Sequence, residues 1–230
     1  MKQAYPKVLS KLADKELIIY VLDAVTKVET TEVILVVGYK GEDVKALLTP
    51  MFPKVKFANQ PEQLGTGHAV ICARDQVSDG ITDILVLCGD TPMISSNSLQ
   101  ALFDLHSKSK AEATILTADL DDPTGYGRII RGSAGDVVGI TEQADASDEV
   151  KKVKEINSGI YLFKRSALLD NLSKLKSDNN QGEYYLTDII KILFNGKKKI
   201  AGLKIKNPDE IIGINTIEQL SYLENLISGK

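Results

Sequence analysis

Asp90 is the first residue of this 230-residue chain whose position points to chemistry. It follows the apolar run DILVLC (83–88) through Gly89 alone, and open α/β sheets bind ligands at the carboxyl ends of their strands. A carboxylate there is a hard oxygen ligand, suited to Mg²⁺ held jointly with substrate phosphates, and it is equally a turn-forming aspartate after a strand. Residues 60–69 (QPEQLGTGHA) are the second candidate. Gly65 and Gly67 flank Thr66 just ahead of a helical pattern, where backbone N–H groups can approach a ligand and a helix N-terminus favours anions. Gln60 and Gln63 carry donors and acceptors able to read a base edge. A short glycine loop is also an ordinary turn. His68, with no partner at metal-ligand spacing, reads as a capping or packing residue.

Two further stretches, 121–129 (DDPTGYGRI) and 155–161 (EINSGIY), have Glu142 between them. Their polar groups, on turns beside short strands, could line a pocket for a polyhydroxylated ligand, although plain β-turns explain them as well. Residues 181–188 (QGEYYLTD) fit a capped helix start with Thr187 or Asp188 near the cap, and the two tyrosines either pack or touch a ligand. Cys88 in its apolar run and Cys72 in an alanine-rich helical stretch read as packing residues, at no metal-ligand or disulfide spacing. No Ser–His–Asp set and no cysteine nucleophile emerges. A metal-poised aspartate, phosphate-reading glycines and sugar-reading polar loops instead suggest phosphoryl or nucleotidyl transfer by positioning and electrostatics.

The elements that must hold these residues follow from hydrophobic periodicity. Residues 17–27 repeat apolar side chains at helical spacing, and 32–37 (EVILVV) is a β-branched run ending at Gly38. A short helix over 42–48, a strand over 55–58, a helix over 68–74 and a buried strand over 83–88 follow. The pattern continues with a serine-capped helix over 95–107 and a strand over 112–118. Strands that are apolar throughout, with helices between them, indicate a mostly parallel sheet covered on both faces. Beyond residue 120 the rhythm changes to shorter strands at 128–131, 137–141 and 159–163. Helices over 166–175 and 187–194, a strand over 200–205 and a closing helix over 216–227 complete the reading.

Composition excludes several classes. The 43% apolar and 26% charged fractions are those of a chain able to build a sizeable core. With 31 acidic against 28 basic residues the net charge is −3, so neither nucleic acid nor an anionic membrane is an electrostatic partner. The mixed charges around Lys151, Lys152 and Lys154 read as a solvated face. No apolar stretch reaches the roughly 18 residues of a membrane span, and the first residues carry no signal-peptide core, so a reducing cytoplasm is the default. One domain over residues 1–230 is expected.

Five stretches, in order, resemble the uridyltransferase domain of the N-acetylglucosamine-1-phosphate uridyltransferase (GlmU) family: PKVL (6–9), QLGTGHA (63–69), DDPTGYGRI, EINSGIY and QGEYYLTD. The likeness runs from residue 1 to about 226. It implies a Rossmann-like nucleotidyltransferase fold that joins UTP to N-acetylglucosamine 1-phosphate, releasing pyrophosphate with Mg²⁺. By the same resemblance Lys7 would neutralise phosphates, and Gln60, Gly65 and Thr66 would contact the uracil end. Asp90 and Asn215 would hold Mg²⁺. Gly127, Glu142, Asn157, Tyr185 and Thr187 would surround the acetylated sugar phosphate.

Two departures from the family pattern carry expectations of their own. The family opens with an apolar strand and a glycine-rich loop ahead of the PKVL lysine, and Met1 stands where that motif would end. The expectation is an N-terminally truncated domain whose sheet lacks an interior strand, leaving two neighbours with unpaired edges. Nor does a hexapeptide-repeat acetyltransferase domain follow before Lys230. Beside a uridyltransferase, the alternative reading is a catalytically inactive module that binds a nucleotide sugar.

Overall fold

The computed structural model describes residues 6–229. A 3₁₀ turn at Lys7–Leu9 leads into a small hairpin, β1 (Lys11–Leu12) and β2 (Lys15–Glu16), and then into α1 (Leu17–Val25). Seven of the nine residues of α1 are buried, because the helix is packed on several sides and its sequence is apolar nearly all round. Next come β3 (Val33–Val37), α2 (Gly41–Met51), β4 (Val55–Asn59), α3 (Thr66–Ala73) and β5 (Asp83–Val86). Helix α4 (Ser96–Ser109) starts where the sequence places it, with the Ser95 hydroxyl accepting from the Ser98 amide at 3.1 Å. Its buried Leu99, Leu102 and His106 recur on one face, against β6 (Ala113–Asp119) and β10 (Ile200–Lys204). Between those two strands lie β7 (Arg128–Arg131), β8 (Val137–Thr141), α5 (Asp148–Lys151), β9 (Glu155–Lys164), α6 (Arg165–Leu169) and α7 (Asp188–Asn195). Helix α8 (Ile217–Ser228) closes the described chain behind a reciprocal capping box between Thr216 and Gln219.

The main sheet runs β10-β6-β9-β7-β8, and β5 also pairs with β9. Strand β9 is its spine. One flank pairs with β6 throughout, while the other is shared by β5 against residues 161–164 and by β7 at Ile156. Strands β3 and β4 form a separate parallel pair. The sheet is mixed, as a Rossmann-like nucleotidyltransferase fold implies: β10 with β6 is parallel, while β9 meets β5, β6 and β7 antiparallel. The sheet is mixed because β9 runs back through its middle.

The sequence also understates β9, placing a strand only over 159–163 and a turn over 155–161. Its polar residues are buried and satisfied in the ladder. Arg131 grips Glu155 through Nε and Nη2 at 2.8 and 2.6 Å, and the Ser158 hydroxyl donates to the Leu116 carbonyl at 2.6 Å. The helix expected over 166–175 stops early, and a 3₁₀ turn at Leu172–Lys174 follows. There the Asn171 amide donates to the Ala167 carbonyl at 2.9 Å, a local alternative to helix continuation. The run 83–88, expected to be buried, is only half-buried. The free edge of β5 faces a cavity instead of another strand.

At the opposite end of β5, His106 is buried with Nδ1 2.8 Å from the Thr114 hydroxyl and Nε2 3.1 Å from Asp83. Asp83 can only accept, so Nε2 carries the proton and Nδ1 accepts from Thr114. Burial lowers the His106 pKa from its ordinary 6.5, outweighing the opposite pull of Asp83. The folded state thus binds fewer protons than the unfolded chain below pH 6.5. The stabilisation is complete above that pH and is lost as the pH falls from 6.5 through the lowered value. Urea midpoints measured between pH 7.5 and 5 should fall for the native chain and fall less for His106→Gln. Equal slopes would show that another group sets the acid response.

Candidate active site

Three residues far apart in sequence meet at the end of β5. Lys7 reaches the site from its 3₁₀ turn, whose Val8 and Leu9 pack against the cluster containing Ile18 and Val37. Asp90 follows β5 through a turn in which the Thr91 hydroxyl donates to the Cys88 carbonyl at 2.9 Å. Asn215 lies just ahead of α8, where its amide N–H donates to Gln219 Oε1 at 2.7 Å. The Ile214 amide donates to the Asp90 carbonyl at 3.0 Å and draws the two segments together. The Lys7 ammonium bridges Asp90 Oδ2, at very short range, and Asn215 Oδ1 at 2.8 Å. One carboxylate oxygen and one amide oxygen therefore converge on a single positive centre. Among the described residues no group of three or more His, Cys, Asp or Glu side chains is arranged for a metal. A divalent ion here fits as a partner of two protein oxygens completed by phosphates and water.

A second cluster lines the neighbouring cavity. Glu142 sits at the end of β8, and its Oε1 accepts from the Thr187 hydroxyl at 3.0 Å. The other oxygen lies 3.1 Å from where a Cβ on Gly127 would stand, so a side chain at 127 would crowd the carboxylate. Burial raises the Glu142 pKa against the opposing hydrogen bond from Thr187. The Asn157 amide is fixed from both ends: Nδ2 donates to Tyr161 Oη at 2.6 Å and Oδ1 accepts from the Gly159 amide at 3.2 Å. Gly127, Glu142, Asn157 and Thr187 are brought together around one cavity. Thr187 is thus no side-chain helix cap, because its hydroxyl is committed to Glu142.

Gln60, Gly65 and Thr66 form a third group. Gln60 Nε2 donates to the Gly65 carbonyl at 3.1 Å and lies 3.3 Å from His68 Nδ1. Thr66 Oγ1 accepts from the Leu186 amide at 3.2 Å, and the Gly67 amide donates to the Tyr184 carbonyl at 2.7 Å. The close approach that the glycines permit is therefore partly to the chain's own segment 184–186.

Tyr185 stands apart from the other sugar-site candidates. It is buried but lines no part of the cavity. Burial, reinforced by the charge of Asp145, raises its pKa. Cys88 also lines the cavity; desolvation pushes its thiol up to about 12, and Asp90's charge adds to this. It is no nucleophile at neutral pH.

Tyr126 was not singled out by sequence reasoning. It lines the cavity, and its pKa is raised by burial, partly offset by a hydrogen bond with the Gly213 backbone, with Asp90's charge adding to the rise. Its hydroxyl ties the DDPTGYGRI loop to the segment carrying Asn215. The only signal in the sequence was membership of that motif.

A family model described as nucleotidyl transferase matches residues 2–207. Among curated relatives, the chain is 45% identical over 225 residues to the "Bifunctional protein GlmU" of Lactococcus lactis subsp. cremoris, covering 97% of this chain and 48% of that protein. It is 44% identical over 229 residues to the protein of the same name from Clostridium novyi, covering 99% and 49%. For that of Heliobacterium modesticaldum it is 42% over 230 residues, covering 100% and 50%. The chain spans about half the length of the curated relatives it matches. No helix among the described residues is long and apolar enough to cross a membrane. With the Lys7–Asp90–Asn215 convergence set at the end of a strand in a mixed α/β sheet, and the match running over most of its length, the chain belongs to the nucleotidyl transferase family.

Proposed function

We propose that this chain carries uridylyl transfer from UTP to N-acetylglucosamine 1-phosphate, giving UDP-N-acetylglucosamine and pyrophosphate. The observation that carries the reading is the meeting of Lys7, Asp90 and Asn215 beside a cavity that Lys7 lines together with Glu142, Asn157 and Thr187. In the reaction a phosphate oxygen of the sugar phosphate attacks the α-phosphorus of UTP, a new P–O bond forms, and the bond to the leaving pyrophosphate breaks. Both reactants are anions, so the protein's work is to screen charge and align them. Lys7 supplies a fixed ammonium for the phosphates. Asp90 and Asn215 are the residues that would hold Mg²⁺, which when bound neutralises phosphate charge that Lys7 alone cannot. By the family resemblance Gln60 and Thr66 would contact the base, and Glu142 and Asn157, whose side chains are held by Thr187 and by Tyr161 and Gly159, would offer polar atoms to sugar hydroxyl and acetamido groups. No protein nucleophile is required.

The sugar assignment has a direct test. UDP-N-acetylglucosamine should bind about tenfold or more tightly than UDP-glucose, since an unmatched buried polar group costs roughly 1–3 kcal/mol. Titration calorimetry with both nucleotides, with Mg²⁺ present, measures the ratio. Equal affinities would remove the acetylated sugar from the proposal. Tight binding of UDP-N-acetylglucosamine without turnover of UTP and N-acetylglucosamine 1-phosphate would favour the inactive binding module.

A further inference from the structure

Tyr161 belongs to the buried apolar cluster of Phe163, Leu168 and Leu186, where a ring without a hydroxyl would serve the packing. It is only 3% exposed, its ring stacks on Phe163 with centroids 5.4 Å apart, and in β9 it pairs with Val86 of β5 and Ile115 of β6. The hydroxyl needs a separate explanation. Asn157 Nδ2 donates to it at 2.6 Å. That amide is not free to turn over. Its Oδ1 accepts from the Gly159 amide at 3.2 Å, and a backbone N–H can only donate, so a reversed side chain would set Nδ2 against a second donor. Tyr161 Oη is therefore the acceptor, and its own hydrogen takes no part in that bond. Among the described residues no acceptor takes this hydrogen. Burial raises the phenol well above its ordinary pKa of 10, with the charge of Glu142 adding to the rise, so the hydroxyl keeps its hydrogen at neutral pH. Tyr161 lines the same cavity as Gly127, Glu142, Asn157 and Thr187.

On the sugar assignment proposed above, on which this rests, we infer that the Tyr161 hydroxyl donates to the acetamido carbonyl oxygen of the sugar and helps to set specificity for it. The other fixed groups leave that task open. The Thr187 hydroxyl hydrogen is committed to Glu142, and the Glu142 carboxylate only accepts, so both suit sugar hydroxyls, which can donate. A carbonyl oxygen only accepts. The donors left for it here are the second hydrogen of Asn157 Nδ2 and the Tyr161 O–H. Val86 and Leu186, which line the cavity and pack in the same cluster as Tyr161, suit the methyl group beside that carbonyl. A phosphate would be drawn instead to the Lys7 ammonium beside Asp90 and Asn215. A hydroxyl in place of the acetamido group is shorter and leaves the buried O–H unmatched.

Tyr161→Phe removes one oxygen and keeps the ring. In titration calorimetry with Mg²⁺ present, its preference for UDP-N-acetylglucosamine over UDP-glucose should be at least about fivefold smaller than that of the native chain, with the affinity for UDP-glucose within about twofold of native. Equal losses for both nucleotides would leave the preference intact and overturn the inference, because the hydroxyl would then serve only to brace Asn157. A second measurement uses the native chain and holds even if the variant fails to fold. The ultraviolet spectrum of the UDP-N-acetylglucosamine complex minus that of the UDP-glucose complex cancels the uracil band. It should show a tyrosine band moved to longer wavelength, as for a phenol that donates, and Tyr161→Phe should lack the feature. No such shift in the native chain would overturn the inference. Equal affinities in the native chain would remove the sugar assignment itself and the tyrosine's role with it, whereas a native preference that Tyr161→Phe retains removes the tyrosine alone.

Discussion

Replacing Asp90 with alanine is expected to lower Mg²⁺-dependent pyrophosphate release from UTP and N-acetylglucosamine 1-phosphate by about 10²–10³-fold, the scale of losing one well-placed group that stabilises transition-state charge. Lys7→Met should cost a similar factor. Asp90 and Lys7 are in direct contact, and Lys7 also binds Asn215. The effects should therefore not add, and the double variant should be less impaired than the product of the two factors. Asn215→Ala, which leaves the carboxylate in place, should cost less and should raise the Mg²⁺ concentration needed for half-maximal rate. Rates of Asp90→Ala within a few-fold of the parent would remove the aspartate from the proposed chemistry.

The second large effect concerns stability. A Cβ on Gly67 would lie 2.6 Å from Leu175 Cδ1 and 2.8 Å from the Tyr184 carbonyl oxygen. The leucine methyl can move, but the carbonyl is already fixed by the Gly67 amide at 2.7 Å. Gly67→Ala should therefore destabilise by about 1–3 kcal/mol, as overpacking does, and lower the thermal midpoint by several degrees. Gly80→Ala is the control, because nothing lies within 4 Å of a Cβ there; it should be neutral or slightly stabilising. Calorimetric melting of both proteins separates the outcomes. A Gly67→Ala midpoint matching that of Gly80→Ala would mean that segment 184–186 is free to shift away.

This contrast bears on what could be read from sequence. The glycines of QLGTGHA were legible as sites of close approach, but the approaching group includes the chain's own Tyr184 carbonyl, 117 positions later than Gly67. Long-range packing of that kind leaves no local trace. Helices with caps and one-sided periodicity, such as α4 behind Ser95 and α8 behind Thr216, were placed within a residue or two. Strands β7 and β8 were placed with their bounds. The N-terminal half of β9 was lost because Glu155, Asn157 and Ser158 look like turn residues until Arg131, Tyr161 and the Leu116 carbonyl are present to satisfy them. Asp90 could be picked out from its place after a strand, while Asn215 came only with the family resemblance, since nothing in its surroundings differs from an ordinary helix entry. Their convergence is a property of the fold.

Strand β9 has a consequence for alignment. Its C-terminal half carries β5, which leads to Asp90, and its N-terminal half pairs with β7 and itself holds Asn157. In the proposed reaction the two ends of the reacting pair would thus be referred to a single beam. Any drift or tilt of that beam carries both anchors with it, so their separation is disturbed far less than their absolute positions. In-line attack needs reacting atoms held at about 3–3.5 Å, and a shared beam secures that spacing without requiring the rest of the molecule to be stiff.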